Sequence, residues 1–177
     1  LIFCLSASLI SAQTTETFET ESVQSTSFTD NGKVFNIISQ APAVFDIYSL
    51  SQGGWNGTAK DNRFIDNSGS TYFNTPVQFR ISAAGGGAFN LKSFYVYLAQ
   101  SNISVNVWGT LSVTGRLGGV EQFVATANSP FNTSTAVNNG YTFVNMANFG
   151  GTNNSNVSID EFVITTTRNN AYGALDA

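Results

Sequence analysis

"NISVNVWGTLSVTG", residues 102–115, decides the fold class of this chain. Ile103, Val105, Val107, Leu111 and Val113 alternate with Ser104, Asn106, Trp108, Thr110, Ser112 and Thr114. An apolar period of two is the mark of an extended strand with one face on a core, and Gly109 is the point where such a strand bends. The stretch "PVQFRIS" (76–82) repeats the pattern, with Val77, Phe79 and Ile81 on one face. Further strand candidates are "ETFETESV" (16–23), "GKVFNIIS" (32–39), "AVFDIYSL" (43–50), "FNLKSFYVYLA" (89–99), "VEQFVATA" (120–127), "GYTFVNM" (140–146) and "VSIDEFVITTT" (157–167). No window carries a capped 3.6-residue stripe. Glycine clusters at 53–54, 85–87, 118–119 and 150–151 read as turns between strands rather than as units of a repeat protein.

The 177 residues suffice for one well-buried domain. Only 10% are charged, against about 25% in an average globular chain, so Asn, Thr, Ser and Gln must supply the solubility. A net charge of −4 and seven scattered Lys and Arg argue against nucleic acid, whose phosphates demand a basic face.

The opening "LIFCLSASLISAQ" is apolar and then turns small and polar, as in the core and cleavage site of a secretory signal, and it is too short to span a bilayer. Residues 1–12 are therefore expected to be a partial signal peptide, and 13–177 a β-sandwich domain truncated at its C-terminus. Cys4 lies inside the apolar run, not at its end, which disfavours a lipid anchor. The mature chain then has no cysteine, and a secreted, disulfide-free protein is expected.

The chain contains no histidine, so Ser-His-Asp catalysis and imidazole metal sites are excluded. Paired carboxylates remain, with Glu19, Glu21, Asp46, Asp61, Asp66, Glu121, Asp160 and Glu161 as candidates. An enzyme is disfavoured because acids are few and no lid insertion is evident. The segment "DNRFIDNSG" (61–69) is rich in oxygen donors, but Arg63 and Ile65 occupy places where an EF-hand needs ligands. It reads better as a short strand, pinned inward by Phe64 and Ile65, followed by a polar turn.

"TFETE" (17–21), "GTLSVTGRLGG" (109–119), "SIDEFVIT" (158–165) and "ALDA" (174–177) together resemble the jelly-roll domains of secreted bacterial proteins, including carbohydrate-binding-module-like domains and domains of surface proteins. The resemblance implies a single antiparallel β-sandwich of jelly-roll type. It also implies a structural Ca²⁺ held by an acid on the first strand and an Asp on a late strand, which Glu19 and Asp160 match, with Asp176 as a third ligand. The chain departs from the sugar-binding members in lacking a tryptophan ladder.

Strand parity adds a candidate binding platform. Trp108 falls on the polar side of its strand beside Asn106, and Tyr95 and Tyr97 share one face of theirs. Gln78 and Arg80, outward on "PVQFRIS", could edge the platform with hydrogen bonds. Aromatic faces ringed by oriented polar groups suit a sugar; equally, a second layer could cover Trp108. The expectation is a non-catalytic secreted or cell-surface module that binds carbohydrate, stabilised by calcium, in a larger multidomain chain. The alternatives are a structural or adhesive domain with no small ligand, and a glycan-active enzyme using two carboxylates.

Overall fold

The computed structural model describes residues 15–67, 76–99, 109–128, 131–132, 134–167 and 172–176. Their strands are β1 (Ser27–Asp30), β2 (Lys33–Ser39), β3 (Asp46–Ser49), β4 (Arg63–Asp66), β5 (Gln78–Ala83), β6 (Ser93–Ala99), β7 (Thr110–Leu117), β8 (Val120–Asn128), β9 (Thr142–Asn145), β10 (Glu161–Thr166) and β11 (Tyr172–Asp176). Three single-turn 3₁₀ segments are the only helical elements among the described residues. None is long and apolar enough to cross a membrane.

The strands form two antiparallel sheets, one of six strands in the order β1-β2-β5-β10-β7-β8 and one of five in the order β3-β4-β11-β6-β9. From β2 onward the chain passes back and forth between them, and β10 and β11 enter the interiors of their sheets. The sheets pack face to face through inward residues of alternating strands. Phe45 stacks on Phe79 at 4.3 Å, and Phe94 of β6 stacks on Phe162 of β10 at 6.1 Å. Ile47, Ile65, Val96, Leu111, Val113 and Ile164 complete a buried apolar interior. The protein is thus an all-β sandwich, as the period-two pattern predicts. Gly115 is needed on the inner face of β7, because a Cβ there would lie 2.3 Å from the Phe123 ring.

Two local expectations change. "ETFETESV" forms turns rather than a strand, since Phe18 takes a positive φ of 59° and drives its ring into the core. Glu19 consequently does not sit on a first strand. In "DNRFIDNSG", alternation along β4 turns Ile65 to the main core and Phe64 to the opposite face, where it is buried in a second cluster. Asp61, Asp66 and Asn67 are buried too, so the described part of that segment is no solvent-facing turn. The residues from Asn102 to Trp108 lie outside the described set, and the strand that follows begins at Thr110.

Candidate functional site

The outer face of the five-stranded sheet is not a plain polar surface. Because Ile47, Ile65, Leu175, Val96 and Val144 point inward, their neighbours Asp46, Tyr48, Phe64, Asp66, Ala174, Asp176, Tyr95, Tyr97 and Phe143 point outward. Aromatic rings connect across it. Tyr48 meets Phe64 at 6.1 Å, Phe64 meets Tyr141 at 6.5 Å, Tyr141 meets Tyr97 at 5.5 Å, and Tyr97 meets Tyr172 at 5.8 Å. Beside this chain Tyr95 and Phe143 face one another at 4.9 Å, and Phe143 is 47% exposed. The strip therefore grades from a buried anchor, Phe64 and Tyr141, to an accessible pair.

The loop between β3 and β4, residues 50–62, folds over one part of this face. Gly54 and Asp61 exchange backbone hydrogen bonds, and the Asn139 side-chain amide spans the carbonyls of Gln52, Gly53 and Gly54 at 3.0–3.1 Å. Glu19 fastens the end of the loop. Its Oε1 accepts the backbone N–H of Asn62 (2.6 Å) and of Arg63 (2.7 Å), while Oε2 accepts from the Asn62 amide (3.2 Å). Burial alone would raise the Glu19 pKa, but these hydrogen bonds and the Arg63 charge hold it below the usual range.

Beneath the loop lies a set of buried acids. Asp176 Oδ2 accepts the Trp55 backbone N–H at 2.7 Å, and Tyr172 donates its hydroxyl to Asp66 Oδ2 at 2.5 Å. Asp61 differs: both of its carboxylate oxygens are buried without a donor, as is the indole Nε1 of Trp55. The Asp176 carboxylate and the Asp61 backbone N–H both act on the Asp61 carboxylate, and a hydrogen bond between the two carboxylates requires a shared proton. Burial first, and then the nearby Glu19 charge, raise the Asp61 pKa to about 6, against the opposing hydrogen bond to Asp176. Burial also raises Tyr141 well above its ordinary value, helped by Asp176, Tyr172, Asp66 and Asp61.

The sequence-predicted platform is divided by the fold. Tyr95 and Tyr97 lie together on the outer face just described. Gln78 and Arg80 lie on the outer face of the six-stranded sheet, where Arg80 and Arg116 each approach the Glu161 carboxylate at 3.2 Å. Consecutive strands β5 and β6 belong to different sheets, so their outward residues point to opposite sides of the molecule. Trp108 and Asn106 lie outside the described residues.

The expected calcium set does not assemble either. Glu19 is occupied by backbone donors, Asp160 Oδ2 accepts the Gly118 N–H (2.8 Å) at the β7–β8 turn, and Asp176 sits under the 50–62 loop. Among the described residues no three or more Asp, Glu, His or Cys are placed to hold a metal ion. Those three residues therefore do not fit calcium as a set. Sequence reasoning missed Phe143, Tyr141 and Tyr172 as face residues. The parity of "GYTFVNM", with Phe143 opposite Val144, was the available signal.

No protein-family model matches the chain, and no curated protein does. Among solved structures, one described as the "X-ray structure of GH31 CBM32-2 bound to GalNAc" is similar over 77% of this chain and 97% of its own, at 15% identity and a TM-score of 0.38. At that overlap the likeness carries no argument for fold or ligand, which rest on the residues above.

Proposed function

We propose that the protein is a non-catalytic carbohydrate-binding module whose sugar platform is the outer face of the five-stranded sheet. The observation behind this reading is the accessible Tyr95–Phe143 pair at the margin of a continuous aromatic strip. Such rings offer apolar contact to the C–H face of a pyranose, and the Tyr95 hydroxyl offers a hydrogen bond. The burial of the acid pair Asp61 and Asp176 beside Gly54 supports the non-catalytic reading. A hydrolytic pair must reach a glycosidic bond from both sides.

In this reading the N-terminal segment directs secretion, the domain works at or outside the cell surface as part of a larger chain, and calcium stabilises it. In this reading the cation would lie beside Asp61 and Asp176, whose carboxylates supply part of the six to eight oxygens that calcium takes. A glycan array of the wild type, Tyr95→Ala and Phe143→Ala tests the binding reading. Wild-type binding to some glycan is expected, with about a tenfold or greater loss in each variant. An array without signal, or one unchanged by both substitutions, would sink the site.

A further inference from the structure

A cavity of about 660 Å³ opens at the end of the sandwich that carries the β1–β2 turn (Asp30–Lys33) and the start of β6 at Ser93. That volume lies in the range of small-molecule sites. Phenylalanines line its core side. Phe28 stacks on Phe35 at 5.2 Å, Phe35 meets Phe89 edge-on at 5.1 Å, and Phe89 meets Phe162 at 6.3 Å. Phe89 and Leu91 are only partly buried, so they leave apolar surface open to a ligand. The lining also reaches the outer face of the five-stranded sheet, at Gly57 and Tyr95. A Cβ on Gly57 would lie 3.4 Å from Tyr95 Cε2 and 3.6 Å from the Tyr95 hydroxyl oxygen. The ring that faces Phe143 at 4.9 Å thus stands against the 50–62 loop at the rim of the cavity.

The lining does not select for charge. Its charged side chains, Glu16, Asp30, Lys33, Lys92 and Asp176, are of both signs, and all have partners within the protein. Lys33 donates to the Ala88 carbonyl, and Lys92 to Ser155 O (2.9 Å) and Asn156 Oδ1 (2.8 Å). Glu16 Oε1 accepts the Phe18 N–H (2.6 Å), Asp176 Oδ2 accepts the Trp55 N–H (2.7 Å), and Asp30 is engaged as well. A charged group entering here would shed water and find each counter-charge already committed. An uncharged apolar group only gains contact.

We propose, resting on the platform reading of the outer face, that the ligand is a glycoside with an uncharged apolar aglycone, the sugar ring on Tyr95 and Phe143 and the aglycone in the end cavity. Tyr95 belongs to both features, so one molecule can occupy them together. An aryl aglycone removes apolar area from water against Phe89 and Leu91 and meets aromatic edges there. The sugar supplies the polar end that stays at the surface.

Calorimetric titration with methyl, benzyl and 4-carboxybenzyl β-glycosides of glucose, galactose and N-acetylglucosamine tests it. On a sugar that binds, the benzyl glycoside is expected to bind about tenfold or more tightly than the methyl one, and the carboxybenzyl glycoside no better than the methyl one. Leu91→Trp and, at the exposed rim, Ala88→Trp each place an indole in the cavity. Each should erase the benzyl gain and leave the methyl glycoside unchanged, with a thermal melt showing that the variant is folded. Phe143→Ala should weaken methyl and benzyl glycosides by the same factor. Equal binding of methyl and benzyl glycosides, no binding of any benzyl glycoside, or a gain kept in both tryptophan variants would overturn the proposal. A glycan-array signal that Phe143→Ala removes would then leave the platform standing. Benzyl binding that the tryptophans block but Phe143→Ala does not touch would instead fail the platform, and the joint site with it.

Discussion

Asp61 and Asp176 converge on the space that a side chain at Gly54 would fill. A Cβ built there would lie 2.0 Å from Asp61 Oδ1 and 2.6 Å from Asp176 Oδ2. Two buried carboxylates aimed at one point demand compensation by a proton or a cation, and the absence of a side chain at residue 54 is what allows their approach.

The first prediction concerns pH. Asp61 has a folded-state pKa of about 6 against an ordinary 3.8. The folded protein therefore holds this proton more tightly than the unfolded chain does. The group carries no penalty at acid pH, and its contribution to stability falls as pH rises from about 4 through about 6. Asp61→Asn removes the penalty and can donate to Asp176. Thermal melts in the absence of divalent cations should show a higher Tm for the variant at pH 8 and a matching Tm near pH 3.5. A constant difference across that range would contradict the assignment.

The second concerns calcium. If the cation sits between the two acids, millimolar Ca²⁺ at pH 7.5 should raise the wild-type Tm by mass action, and a chelator should reverse the rise. Asp61→Asn should lose most of the response. A wild-type Tm that ignores both additions would mean that a proton alone closes the pair.

Gly54→Ala should be destabilising by roughly 1–3 kcal/mol, because the new methyl must displace a buried carboxylate rather than water. The change should be visible in Trp55 fluorescence, since the Trp55 backbone N–H is bonded to Asp176. Adding Asp61→Ala should recover part of the loss; a Gly54→Ala protein with wild-type stability would contradict the close approach.

Arg80 and Tyr95 should act independently. Arg80 is about half exposed and shares Glu161 with Arg116, so Arg80→Ala should cost no more than about 1 kcal/mol, with no effect on glycan binding. Tyr95→Ala should weaken binding, and a double-mutant cycle should show additivity within about 0.5 kcal/mol. Strong coupling would require a single platform that the two-sheet arrangement does not build.

The amino-acid sequence alone determined the fold class and the excluded chemistries. Alternation in "PVQFRIS" and "FNLKSFYVYLA" states which residues share a strand face, and β5 obeys it throughout and β6 as far as Leu98. The absence of histidine removes whole mechanisms before any contact is known. Parity, however, is defined only within a strand. It says that Arg80 and Tyr95 both point outward but not that their strands belong to opposite sheets, because sheet membership is set by pairing between residues distant in sequence. For the same reason "DNRFIDNSG" reads locally as a polar turn. Only the packing of β4 against β11, which brings Asp176 up to the 50–62 loop, buries Asp61 and turns an ordinary loop acid into half of a coupled pair.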